Sequence, residues 1–143
     1  MEKLKVEELT PYLPFKLKCF VVNDGKEQVG TLSAVYDNGE CVFHDIVEAQ
    51  QGFESVKPLL RPLSDLTKEI EHNGEKFVPI RKLLEANNFN LEKMETEYIN
   101  SFAKSMVEIQ MAYDDAQLLL RWHFDIFGLI ERGLALNINT LKS

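Results

Sequence analysis

Hydrophobic and polar positions keep two different rhythms along this chain, and the change falls near Pro62. Beyond it the period is helical. In residues 114–133 the polar positions Asp114, Gln117, Arg121, Asp125, Gly128 and Arg132 recur in steps of three or four and make one narrow stripe. Leu118, Leu119, Leu120, Trp122, Phe124, Ile126, Phe127, Leu129 and Ile130 fill the rest. A helix that is apolar around most of its circumference belongs in the middle of a fold. Asp114 or Asp115 supplies an N-terminal cap, and Gly133 suits the left-handed position that ends a helix. One long core helix over residues 114–133 is therefore predicted.

A second long helix precedes it. Asn90 is its cap, and Leu91, Met94, Tyr98, Phe102, Met106, Ile109 and Tyr113 share one face, widened by Ile99, Ala103 and Val107. The tight connection at Ala112-Tyr113-Asp114 predicts antiparallel packing of the two. Earlier still, Ser64 followed by Asp65 predicts a helix that ends at His72-Asn73-Gly74-Glu75. Lys76-Phe77-Val78 is a short extended piece, and Pro79 opens a helix that Asn87-Asn88 breaks.

Before Pro62 the period is two. Residues 1–14 form a lead-in with one helical turn stopped by Pro14, from which Leu9, Tyr12 and Leu13 pack inward. Leu17, Cys19 and Val21 alternate with Lys16, Lys18 and Phe20. Asn23-Asp24-Gly25-Lys26 and Asp37-Asn38-Gly39-Glu40 are turn signals, and they separate this run from Gln28–Tyr36 and from Cys41-Val42-Phe43-His44-Asp45-Ile46. A three-stranded meander follows, with Lys16, Lys18 and Lys26 on an exposed face or an edge. Residues 48–52 read as a loop. Residues 54–60 read as a fourth strand, held to an edge by Pro58. Leu134 to Ile138 is a last strand or a packed tail. The fold class is α+β: an N-terminal antiparallel β-meander of three to four strands packed on a C-terminal helical half with two long antiparallel helices. Either half alone is small for a stable core, so residues 1–143 form a single domain, 1–62 mainly β and 63–143 mainly α.

Charge narrows the function classes. The 143 residues carry a net charge of −7. Residues 1–63 hold seven basic and ten acidic side chains, and residues 64–143 hold nine and thirteen, so the excess is even. The sequence shows no Lys/Arg cluster and no basic tail, which argues against nucleic acid and against an anionic membrane surface as partners. The N-terminus has no apolar run of the signal-peptide type, and no stretch is apolar for long enough to span a bilayer. Cys19 and Cys41 lie in strand-like runs and read as reduced core thiols, which points to the cytoplasm.

Candidate chemistry is thin. His123 lies opposite the polar stripe and is expected among Leu119, Ile126, Phe127 and Ile130, satisfied by one hydrogen bond, with no second histidine, thiol or carboxylate on that face. Arg121 and Asp125, four apart, make a surface ion pair, or a grip on a partner if the stripe faces a cleft. Cys41 and His44 point to opposite faces of a strand, and Cys19 and His72 are far apart in sequence, so no metal set forms. Asp114-Asp115 is explained by its helix start. No nucleophile elbow and no phosphate-binding glycine loop is present. Phe20, Tyr36 and Phe43 read as core rather than as a stacking platform. Catalytic residues, cofactors and metals are thus expected to be none, and Arg121 and Asp125 stand as partner-binding candidates.

Three segments carry a resemblance: Leu9-Thr10-Pro11-Tyr12-Leu13-Pro14, Leu60-Arg61-Pro62-Leu63-Ser64-Asp65-Leu66, and Trp122-His123-Phe124-Asp125-Ile126-Phe127-Gly128-Leu129-Ile130 with Gly133-Leu134-Ala135. Together the chain resembles a family of small proteins of phages and prophages of gut Bacteroidetes. The resemblance implies a setting, the bacterial cytoplasm during phage carriage, and carries over no functional residue. The expected role is a non-enzymatic, phage-related accessory protein that binds another macromolecule, most naturally a protein. An acidic inhibitor of a host nucleic-acid enzyme is the alternative, and an enzyme of unrecognised type the third. A helix so apolar also makes a homodimer an option.

Overall fold

The alternation of the first half does produce a meander. In a computed structural model that describes residues 4–23, 25–44, 51–52, 56–88, 90, 93, 95–108 and 112–141, β1 (Lys18–Asn23), β2 (Lys26–Val35) and β3 (Glu40–Phe43) are antiparallel. Cys19 and Val21 point into the core while Lys18 and Val22 face outward. A bulge between Leu32 and Ala34 brings Phe43 opposite Leu32 and keeps Cys41 and Phe43 on the buried face. Strands β4 (Gln51–Gly52) and β5 (Val56–Leu60) extend the sheet, and β8 (Leu136–Asn137) completes six strands in the order β4-β3-β2-β1-β5-β8. The expected loop at Gln51-Gly52 is therefore strand, and the final segment is a strand, parallel to β5.

Strand β5 is not at an edge, as Pro58 had suggested. Its register to β1 sets Pro58 against Cys19, while β8 pairs only with Leu59 and Leu60. The missing N–H of Pro58 thus falls where β5 has a neighbour on one side only.

The fold is α+β, with α1 (Val6–Leu9), α2 (Pro79–Ala86), α3 (Thr96–Glu108) and α4 (Tyr113–Arg121) besides the sheet. The lead-in continues past Pro14 as 3-10 turns over Thr10–Phe15 and stops at Lys16, which is left-handed. The helix expected from Ser64 does not form. Leu63–Thr67 is a short 3-10 segment, and Ile70–His72 (β6) and Glu75–Phe77 (β7) make a hairpin. Asn73 and Gly74 both take positive φ, 52° and 83°, which is the Asn-Gly two-residue turn. That local signal prevailed over a helical period too short to compete.

The core helix is shorter than its apolar pattern. Helix α4 stops at Arg121, because the N–H of His123 bonds to the carbonyl of Leu120 (3.0 Å) and that of Phe124 to Leu119 (2.9 Å), with His123 at φ 63°. This is a Schellman ending, sealed by burial of Leu119 and Phe124 together. Residues 122–135 then run as packed turns. The same pair of bonds recurs at Gly133 (φ 75°), from Gly133 to Ile130 and from Leu134 to Leu129. Gly133 does take the left-handed ending position, but it closes a short turn and not the long helix.

These turns explain the broad apolarity. They pass between two cores. Leu120, Leu129 and Ala135 join Leu9, Tyr12, Leu17, Cys19 and Leu60 beneath the sheet. Leu119, Trp122 and Phe124 join Leu66, Ile80, Leu83, Leu84, Ile99 and Ala103 among the helices. Ile126 touches both. The apolar circumference is covered within one chain, so that reason for a dimer lapses. On α3 the buried residues are Ile99 and Ala103, while Tyr98, expected inward, is exposed. The helix expected to start from Asn90 begins at Thr96. The expected loop at 48–50, the positions Leu91, Met94 and Ile109 expected in that helix, and the side chains of Met106 and Val107 lie outside the described residues. Among the described residues no helix is long and apolar enough to cross a membrane.

Candidate functional site

Four segments meet where α4 ends. Phe15 closes the 3-10 turns after α1. Arg61 leaves β5. The β6–β7 hairpin brings His72 and Asn73, and Arg121 to His123 form the helix ending. A backbone bridge ties two of them: the N–H of Arg61 bonds to the His123 carbonyl and the N–H of Asp125 to the Arg61 carbonyl, both at 2.8 Å. The Arg61 guanidinium is buried and fastens two more strands of backbone, with Nε on the Trp122 carbonyl (3.1 Å) and a terminal nitrogen on the Glu71 carbonyl (2.7 Å). Burial lowers its pKa, which the nearby Asp65 carboxylate opposes.

His123 is buried, as its sequence position suggested, but not among aliphatic side chains alone. Its Nε2 lies 2.7 Å from the Phe15 carbonyl, the single hydrogen bond expected of it. Its ring also meets that of His72 edge to face, with centroids 4.8 Å apart. The second histidine comes from a hairpin whose first strand was expected to be the end of a helix. The Arg121 backbone opposes the lowering of the His72 pKa. Burial pushes the His123 pKa down to about 4, helped by the charges of Arg61 and Lys18, and burial followed by the Arg61 charge lowers that of His72. Both rings are neutral near pH 7.

Beside them opens a recess of about 590 Å³. Lys16, Lys18, Arg61 and Arg121 supply four cationic groups to its wall, against one acid, Glu71. Phe15, Pro14 and Ile138 add apolar surface, and the Arg121 guanidinium sits 5.7 Å from the centre of the Phe15 ring. Lys18 reaches the hydroxyl of Thr31 across β1 and β2 (2.5 Å). The sequence showed no basic cluster because its members lie at 16, 18, 61 and 121, and only the topology brings them together. Their one legible signal was Lys16 and Lys18 alternating with Leu17 and Cys19 at the start of the meander.

A second recess of similar volume adjoins the first and shares His72, Asn73 and Arg121 with it. Its wall includes Phe77, Leu118 and Trp122. Here Lys82 is paired with Glu75 and lies 4.4 Å above the Phe77 ring.

Of the two candidates from sequence, only Arg121 lines the site. Asp125 does not pair with it. The helix that would have set them four apart ends between them, and Asp125 is buried, its carboxylate accepting the N–H groups of Leu129 (2.8 Å) and Ile130 (2.9 Å). It holds the turns after α4. His44 is exposed and Cys41 buried. Cys19 and Cys41 are free thiols, and burial raises both pKa values, that of Cys41 to about 12, so neither is a ready nucleophile. Phe43 is buried, Phe20 half-buried and Tyr36 exposed. No group of three or more metal-ligating side chains occurs among the described residues. Comparison with family models, with curated proteins and with solved structures finds no match.

Proposed function

We propose that this is a non-enzymatic binding protein that holds an acidic segment of a partner protein in the recess beside α4. The observation that carries the reading is a wall with four cations and one acid on a chain whose net charge is −7. Placing these cations in one concavity concentrates positive potential on a chain that is negative overall, and that contrast favours one docking position and orientation. The two histidines fit a binding role better than a catalytic one. The His123 hydrogen bond goes to a backbone carbonyl, and a pKa near 4 leaves His123 poorly matched to proton transfer at neutral pH. A single recess suits an acidic side chain and not the long phosphate track of a nucleic acid. The resemblance to phage and prophage proteins supplies the setting of the proposal, an accessory role in the cytoplasm of a bacterial host.

The test is a pull-down from bacterial lysate with tagged protein and with the doubly charge-reversed variant Lys16→Glu/Arg121→Glu, both side chains being exposed. The expected result is a reproducibly enriched protein that is displaced by untagged competitor, weakens as salt rises and is lost with the variant. Capture unchanged by the reversal, or no capture by folded protein, would overturn the reading.

A further inference from the structure

The two recesses that meet at His72, Asn73 and Arg121 differ in character. The first carries an excess of cations. The second offers Phe77, Leu118, Trp122 and the exposed Ala86, and its Lys82 is already matched by Glu75. Trp122 and His123 are consecutive residues, yet one lines the second recess and the other the first. The two recesses therefore lie side by side, with His72, Asn73 and Arg121 in both walls.

We propose that the two recesses form one groove for an extended peptide, in which an acidic side chain enters the first and a bulky aliphatic side chain two positions along enters the second. This rests on the binding role proposed above and specifies its occupant. In an extended chain, residues i and i+2 point the same way and lie about 7 Å apart, which matches side-by-side recesses sharing a wall. Charge complementarity assigns the acid to the first recess, since an acid in the second would have to compete with Glu75 for Lys82. Apolar contact assigns the aliphatic residue to the second. Main-chain polar groups of the guest pass over Asn73 and the hairpin turn, which are exposed to water.

The experiment is fluorescence anisotropy with a labelled peptide Gly-Ser-Glu-Ala-Leu-Ser-Gly, and with versions in which leucine becomes serine, glutamate becomes glutamine, or the two are made adjacent. The leucine peptide should bind at least tenfold more tightly than the serine version, the gain expected from burying one such side chain. Adjacency of the two residues should remove that gain. The variant Ala86→Glu, at an exposed helix position, should erase the tenfold difference between the leucine and serine versions, whereas Lys16→Glu should weaken both and keep that difference. Equal binding of the leucine and serine peptides, or a gain that survives Ala86→Glu, would overturn the groove while leaving the acidic recess standing. Binding of neither peptide would overturn both. Displacement by inorganic phosphate at concentrations comparable to unlabelled peptide would also overturn the groove, in favour of a small-anion pocket.

Discussion

The chain reverses twice after α4, at His123 and at Gly133, with the same two backbone hydrogen bonds each time. At Gly133 the residue is what the backbone wants: φ is 75°, and a Cβ there would meet nothing within 4 Å. At His123 an L side chain occupies the same left-handed region at φ 63°, which costs about 1 kcal/mol relative to glycine. The reversal at Gly133 serves conformation alone. The reversal at His123 accepts strain so that an imidazole can stand between Phe15, His72 and the recess. Where two equivalent turns differ in this way, the strained one is the better guide to the site.

Between them lies Asp125, and its removal should have the largest effect. Asp125→Ala leaves one buried and one part-buried N–H group without an acceptor and should destabilise the fold by about 3 kcal/mol, measured by urea denaturation. Asp125→Asn keeps one acceptor and should lose less. If Asp125→Ala is neutral, the turns after α4 are not held as described.

The next effect separates the two reversals. Gly133→Ala should cost about 1 to 2 kcal/mol, all of it conformational because the space is open. His123→Ala should also destabilise, but His123→Gly should recover about 1 kcal/mol of that loss by relieving the backbone. If His123→Gly and His123→Ala are equally stable, the strain assigned to His123 is absent.

The effect that is smallest near neutral pH, and grows only on acidification, is that of His123 protonation. The folded-state pKa of His123, about 4, lies below its unfolded value, so between about 4 and about 6.5 the unfolded chain binds more protons. Stability from this group is complete above the unfolded value and is lost as pH falls toward the folded one. The slope should reach about 1 kcal/mol per pH unit at its steepest, with His72 adding in the same sense. His123→Gln should flatten the curve in that window. An unchanged slope would mean that His123 is not held neutral by burial.

These comparisons also show what the sequence could reveal. The meander, the helix opened by Pro79, the break at Asn87-Asn88, the buried His123 and the left-handed Gly133 are each dictated by a local feature: period two, a proline, a turn pair, a glycine. The length of α4 was not legible, because apolar residues at nearly every position fit a central helix and a chain threading between two cores equally well. The Asn73-Gly74 hairpin was legible, and the helical reading of Ser64 onward overrode it. The site itself was hidden, since its cations are scattered and His72 reaches His123 only through that hairpin.

The contacts that hold the N-terminal lead-in have a consequence for how the chain is made. The Tyr12 hydroxyl donates to the Phe124 carbonyl, 112 residues away (2.5 Å), Phe15 meets His123 across 108, and Glu8 pairs with Arg132 across 124 (2.5 Å). None of these can form until more than a hundred residues have left the ribosome. The meander must wait, its inner face of Leu17, Cys19 and Val21 without the cover that Leu120, Leu129 and Ala135 provide. Folding that depends on such distant pairings is slow, and the interval is one in which apolar strands are open to wrong partners. Lys18 projects from β1 on the other face and Lys16 lies just before it, so side chains that form the wall of the recess in the finished protein also place charge beside the uncovered strands while the chain is being made.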